Sequence, residues 1–249
     1  MNIPSINKTS HLPLSVSKAI ENFALKLLSI HESNLTGILV YGSAAGVNFN
    51  PAKSDINIAV IVKFLDVEVL TKSLDVVAVA RKSNISAPLF LTKEYIQSSL
   101  DVFPIEFSEI KNHHIVIFGE DLLASLTIDL KHIRLFCEAQ IKGKILRIRQ
   151  SYLESGHDVV KLRSVLHDSL NGLMPIFRQM LTHKNITPAA HKRELLRQFC
   201  SSFALNVDHI LPIYDDRNGI AVIPVAYVTK HLQDYLDLLC KLADHIDSL

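Results

Sequence analysis

The chain has 249 residues, enough for one large or two modest domains, and its 48% hydrophobic and 20% charged residues supply a core and exclude a disordered chain. Its net charge of +1 gives no general reason to expect an extended nucleic-acid surface or a membrane partner. Three widely separated cysteines, Cys137, Cys200 and Cys240, have neither metal-ligand spacing nor an even disulfide framework, and read as apolar thiols of a reducing compartment. The first residues, MNIPSINKTSHLPLSVSK, lack a basic start followed by an apolar core, and no segment approaches the ~18–20 apolar residues of a membrane helix. The expectation is a soluble cytoplasmic protein.

In chain order, Ile20, Phe23, Leu27 and Leu28 stand at helical spacing within 16–31, and Leu35–Tyr41 then reads as a buried strand. Asp55–Lys63 reads as a second strand and Val67–Lys82 as a helix. Pro88–Thr92 and Phe103–Lys111 read as two more strands with a helix between them. Beyond about residue 120 the strand signals fade. Positions 130, 133, 137, 141, 145, 148 and 152 are spaced by three and four, which predicts one long amphipathic helix over 128–152. Further helical patterns cover 159–183, 190–210 and 225–247, interrupted by Asn185-Ile186-Thr187-Pro188 and by the Asp216-Arg217-Asn218-Gly219 turn. The expected organisation is therefore α+β over 1–122, a mixed sheet with flanking helices, followed by an all-α bundle over 123–249.

The stretch YGSAAGVNFNPAKSDINIAV, residues 41–60, concentrates the chemistry. Gly42-Ser43 after a strand permits a sharp turn whose backbone N–H groups, with the Ser43 hydroxyl, can hold phosphate oxygens. Residues 47–54 read as a flexible excursion. Asp55 and Asn57, two apart on a strand, share a face with Ala59 and Ile61, while Ile56, Ile58, Val60 and Val62 line the other. In FPIEFSEIK, alternation puts Glu106 with Ser108 on one face, where a strand beside 55–63 would bring Glu106 toward Asp55.

These residues resemble the nucleotidyltransferase superfamily that includes the polymerase-β-like aminoglycoside nucleotidyltransferases and the minimal nucleotidyltransferases. Its pattern is an apolar residue followed by Gly and Gly or Ser, a gap, Asp-apolar-Asp or Glu, and a third carboxylate on a later strand. Tyr41-Gly42-Ser43, Asp55-Ile56-Asn57 and Glu106 occupy those places. The resemblance covers about residues 15–120, and the helical tail is similar to the bundle of aminoglycoside-modifying members. It implies transfer of a nucleoside monophosphate from a nucleoside triphosphate, ATP above all, to an unknown small-molecule or protein acceptor. It also implies two Mg2+ or Mn2+ ions held by Asp55, Asn57 and Glu106, with Asp55 and Glu106 catalytic and Gly42 and Ser43 on the nucleotide. The domain cleft is the expected ligand site. Asn57 departs from the pattern: its amide oxygen can touch a cation without neutralising it. A unit charge at ~4 Å is worth about 4 kcal/mol near a protein surface before desolvation. The expected activity is thus weakened, and a catalytically inactive nucleotide-binding or antitoxin-like interaction module stands as the alternative.

Several features have blander readings. His113-His114 reads as a surface loop, and Asp215-Asp216 as helix-end and turn chemistry. Lys131, Arg134, Lys142, Lys144, Arg147 and Arg149 make a solvated basic face or, alternatively, reach a triphosphate. Arg178 and His183 fit the Arg-polar-x-x-x-His pattern of HEPN ribonucleases, which makes such a ribonuclease the third reading.

Overall fold

The computed structural model describes residues 9, 11–46, 49–51, 54–156 and 158–247. The chain divides into two compact units, Met1–Ile128 and Asp129–Leu249.

The first unit is built on a four-stranded sheet. β1 (Leu35–Tyr41) pairs antiparallel with β2 (Asn57–Val62), in register from Tyr41 opposite Asn57 to Gly37 opposite Ile61, with a shift before Leu35 opposite Val62. β3 (Leu89–Thr92) runs parallel to β2, and β4 (His114–Gly119) antiparallel to β1, giving the order β3-β2-β1-β4. A parallel neighbour requires a crossover. It is supplied by α2 (Val67–Ala80), which starts where the Asp66 carboxylate accepts from Val69 N at 2.8 Å.

Strand alternation then sorts the core. Ile38, Val40, Ile56, Ile58, Val60 and Val62 form one buried cluster with Ile20, Phe23 and Leu27 of α1 (Leu14–His31). Leu39, Ala59, Ile61 and Val116 form a second with Ile96 of α3 (Lys93–Ser98) and Phe107 and Ile110 of α4 (Pro104–Asn112). The face assignment expected for residues 56–62 holds.

The strand expected over Phe103–Lys111 does not form, and α4 occupies that segment. Phe103, Ile105 and Phe107 alternate, but Pro104, Phe107 and Ser108 are also spaced as on a helix, and all three are buried. Pro104 at the first helical position settles the contest, because its missing N–H costs nothing there. The strand is instead His114–Gly119, in the segment expected to begin as a surface loop at His113-His114.

The second unit contains α5 (Leu130–Ser155), α6 (Val159–His183), α7 (Lys192–Ser202), α8 (Leu211–Arg217) and α9 (Val228–Asp247). Asp129 and Asp158 cap α5 and α6, accepting from Lys131 N at 2.8 Å and Val160 N at 3.0 Å. Gly156, at φ +54°, ends α5 in the left-handed conformation that glycine adopts without a Cβ penalty. Ile133, Cys137, Ile141, Ile145 and Ile148 of the expected stripe are buried, and α5 packs on α6 and α9, while Leu130 and Tyr152 at the stripe's ends are exposed. On the other side of α6, Phe177 stacks on Phe199 of α7 with ring centroids 4.2 Å apart. Asp215 and Asp216 do more than shape a turn. Asp215 takes both nitrogens of an Arg193 fork at 2.9 Å, and Asp216 accepts from Ile223 N at 2.8 Å and meets His167 Nε2 at 2.8 Å. Among the described residues no helix is long and apolar enough to cross a membrane.

Candidate functional site

β1 ends at Tyr41 and the chain enters a tight 3-10 turn, Gly42–Ala45. Gly42 has φ +72°, a conformation that disfavours any Cβ, and a Cβ built there would lie 3.3 Å from Asn57 Nδ2. The turn therefore seats directly against the Asn57 amide. Gly42 N donates to His113 O at 3.1 Å, and Gly46 N to Ser43 O at 3.1 Å. Ala44 is fully buried and anchors the turn, whereas Ser43 is exposed and its hydroxyl has no partner among the described residues. Of the excursion expected over 47–54, residues 47, 48, 52 and 53 lie outside the described residues. In its described part, Ser54 N donates to Asn50 O at 2.8 Å.

Asp55 precedes β2, exposed, with no hydrogen bond or ion pair among the described residues. Ile56 fixes the approach by bridging to Ile85 and donating to Asn84 O at 2.8 Å. Asn57, half-buried, opens β2 opposite Tyr41, and Tyr41 stands opposite His114 on β4. The row across three strands at this end of the sheet is therefore Asn57, Tyr41, His114. Burial pushes the Tyr41 hydroxyl above its ordinary pKa, so it stays a neutral phenol.

His114 is the member that sequence reasoning left out. Its Nδ1 bonds the last carbonyls of α4, Ile110 O and Lys111 O, both at 2.9 Å, and its Nε2 meets Asp121 Oδ1 at 3.0 Å. Burial works to raise the Asp121 carboxyl, but hydrogen bonds from His114, Ala124 and Leu123 outweigh it and hold the group below its usual range. The imidazole is spent on joining α4 to β4. The available signal was the adjacent apolar run Ile115–Phe118, which marks His114 as a strand residue.

Glu106 sits in the first turn of α4, exposed. The strand alternation that was to carry it toward Asp55 is absent. No carboxylate occurs in the neighbouring run 85–92, ISAPLFLT, so β3 supplies none either. Among the described residues, no three His, Cys, Asp or Glu side chains are grouped to hold a metal ion. The donor set at this end of the sheet, one free carboxylate and one amide, does not fit a two-metal centre.

In the helical unit, the Arg178 guanidinium donates to Ala189 O at 3.1 Å and Ala190 O at 3.2 Å, tying down the loop after α6. His183, five residues on, lies about 140° around the helix. The basic face of α5 is partly neutralised: Glu138 bonds both Arg134, at 3.3 Å, and Lys142, at 2.7 Å, and Lys142 also reaches Asp247 at 3.1 Å.

No protein-family model matches the chain, and no curated protein sequence matches it. Among solved structures it is similar to the crystal structure of spectinomycin adenyltransferase AAD(9) from Enterococcus faecialis with ATP and spectinomycin. The TM-score is 0.55 at 15% identity, over 90% of this chain and 98% of that one. The fold is the nucleotidyltransferase fold. The mixed sheet with flanking helices, followed by a helical C-terminal part, is the architecture expected from the sequence.

Proposed function

We propose that the protein binds a nucleoside triphosphate, ATP above all, at the Gly42-Ser43 turn, and that its transfer of a nucleoside monophosphate to an acceptor is weakened by the neutral Asn57. The observation that carries this reading is the Gly42 turn itself. Its Gly42 is left-handed and pressed against Asn57, and it leaves the Ser43 hydroxyl exposed, as Asp55 is exposed before β2. Apart from Gly42 N, which is held by His113 O, backbone N–H groups at the start of such a turn have no partner within it and suit phosphate oxygens. The ATP of the similar solved structure supports an adenine nucleotide, and its spectinomycin supports a small-molecule acceptor.

Asp55 and Asn57 would meet one Mg2+ or Mn2+ ion at most. Calorimetric titration of ATP with and without Mg2+ tests the reading. Binding of similar strength in both is the expected outcome. Affinity that rests wholly on the metal would mean a complete metal centre and would overturn it.

A second reading, a nucleotide-binding or interaction module without transfer, is favoured by the lack of any carboxylate on β3 and β4. Incubation with α-labelled ATP and candidate acceptors separates the two, since only the first reading yields labelled product.

A further inference from the structure

The helical unit carries a cavity of about 350 Å3 between the start of α5, the end of α6 and the end of α9. That volume falls at the small end of small-ligand pockets, about 300–1,000 Å3. Its floor is aliphatic and sulfur-bearing: Ile133, Cys137, Met180 and Ile246, all buried. Among the described residues no Phe, Tyr or Trp lines it.

The rim carries the cations Lys131 and Arg134 and the imidazole of His183, a hydrogen-bond donor. Arg134 is held by Glu138, but the side chains of Lys131 and His183 have no hydrogen bond or ion pair among the described residues. Lys131 stands in the first turn of a 26-residue helix, where the macrodipole disfavours a cation. The nearby acids, Asp129, Glu138 and Asp247, are engaged with Lys131 N, with Arg134 and Lys142, and with Lys142 respectively. A positive mouth over an aliphatic floor suits a ligand that brings its own negative charge.

We propose that this cavity binds a small amphipathic anion, an aliphatic chain ending in a carboxylate or phosphate. The aliphatic part lies on Ile133, Cys137, Met180 and Ile246, and the anionic head pairs with Lys131 and His183. Met180 lets the floor adapt to chain shape. The site is independent of the nucleotide reading, since none of its residues belongs to the sheet unit.

The test is calorimetric titration of the full chain with octanoate and octyl phosphate, and with octanol and octylamine as neutral and cationic controls. Both anions should bind, octanol at least about tenfold more weakly, and octylamine not at all. The tighter of the two anions identifies the head group. Lys131→Glu, at an exposed position, should weaken the anions at least about tenfold without lowering the melting temperature, and His183→Gln should weaken them less. Gly42→Ala should leave octanoate binding intact while reducing ATP binding, which separates failure of this site from failure of the other. Equal binding of octanol or octylamine, or unchanged anion affinity in Lys131→Glu, overturns the proposal.

Discussion

At Gly42 two constraints meet in one atom: a backbone at φ +72° and a neighbour, Asn57 Nδ2, 3.3 Å from where a Cβ would stand. Gly42→Ala should therefore cost about 1–2 kcal/mol through the left-handed backbone alone. It should also push the Asn57 amide aside and weaken ATP binding, read by denaturant melts and calorimetry together. Asn57→Asp is the complementary change, adding a charge at constant size beside Asp55. Two close carboxylates repel until a cation relieves them. The variant should gain at least about tenfold in Mg2+ or Mn2+ affinity and show a metal-dependent rise in melting temperature that the parent lacks. Equal shifts in parent and variant across a metal series with ATP present would show that Asn57 does not stand in a ligand's place.

At the scale of elements, α1 and α2 are joined by a buried imidazole: His31 Nε2 lies 2.8 Å from Ser73 Oγ, and the ring meets Phe90 edge-on. Burial, aided by the charge on Lys72, depresses the His31 pKa below its ordinary value. The unfolded chain then binds the proton more readily than the folded one. Stability is complete above about pH 6.5 and is lost as pH falls from there through the lower folded value. Melting temperature should fall on acidification from pH 7.5 to 5.5, and His31→Gln should flatten that slope. His231 on α9, lowered chiefly by burial, contributes in the same direction. On α5, Ile141 is fully buried in the stripe, so Ile141→Asp should cost several kcal/mol in urea melts.

Legibility differed between such elements for physical reasons. The stripe on α5 and the alternation over 56–62 were readable because each repeats its period several times with one buried face. The α4 segment is too short to separate a period of 2 from one of 3.6, and the imidazoles before Ile115 disguised β4. The candidate site shared that fate. The Gly42 turn and the Asp55–Asn57 strand start were legible as local pattern, whereas His114 entered the row only through sheet pairing, and Glu106 depended on the misread segment.

Across the whole molecule, the division at Ile128 and Asp129 gives each unit its own buried core. Scanning calorimetry should resolve more than one transition. ATP should raise the one that includes the sheet, by about 2.7 kcal/mol at a hundredfold excess over Kd, while Ile141→Asp should lower the other. A single transition that both perturbations move alike would show that the units melt together.

The pairing of Tyr41 with Asn57 joins the first two strands of the sheet across the 42–56 connection, and His114 closes the row before the first helix of the bundle begins. Chains emerge from the ribosome amino-end first, and domains fold as units while they do so. The Gly42 turn is thus laid down while the bundle is still unmade. On the proposed function, a ribosome paused well past residue 128 displays a sheet that holds ATP, and nucleotide steadies the nascent chain before its second half is complete.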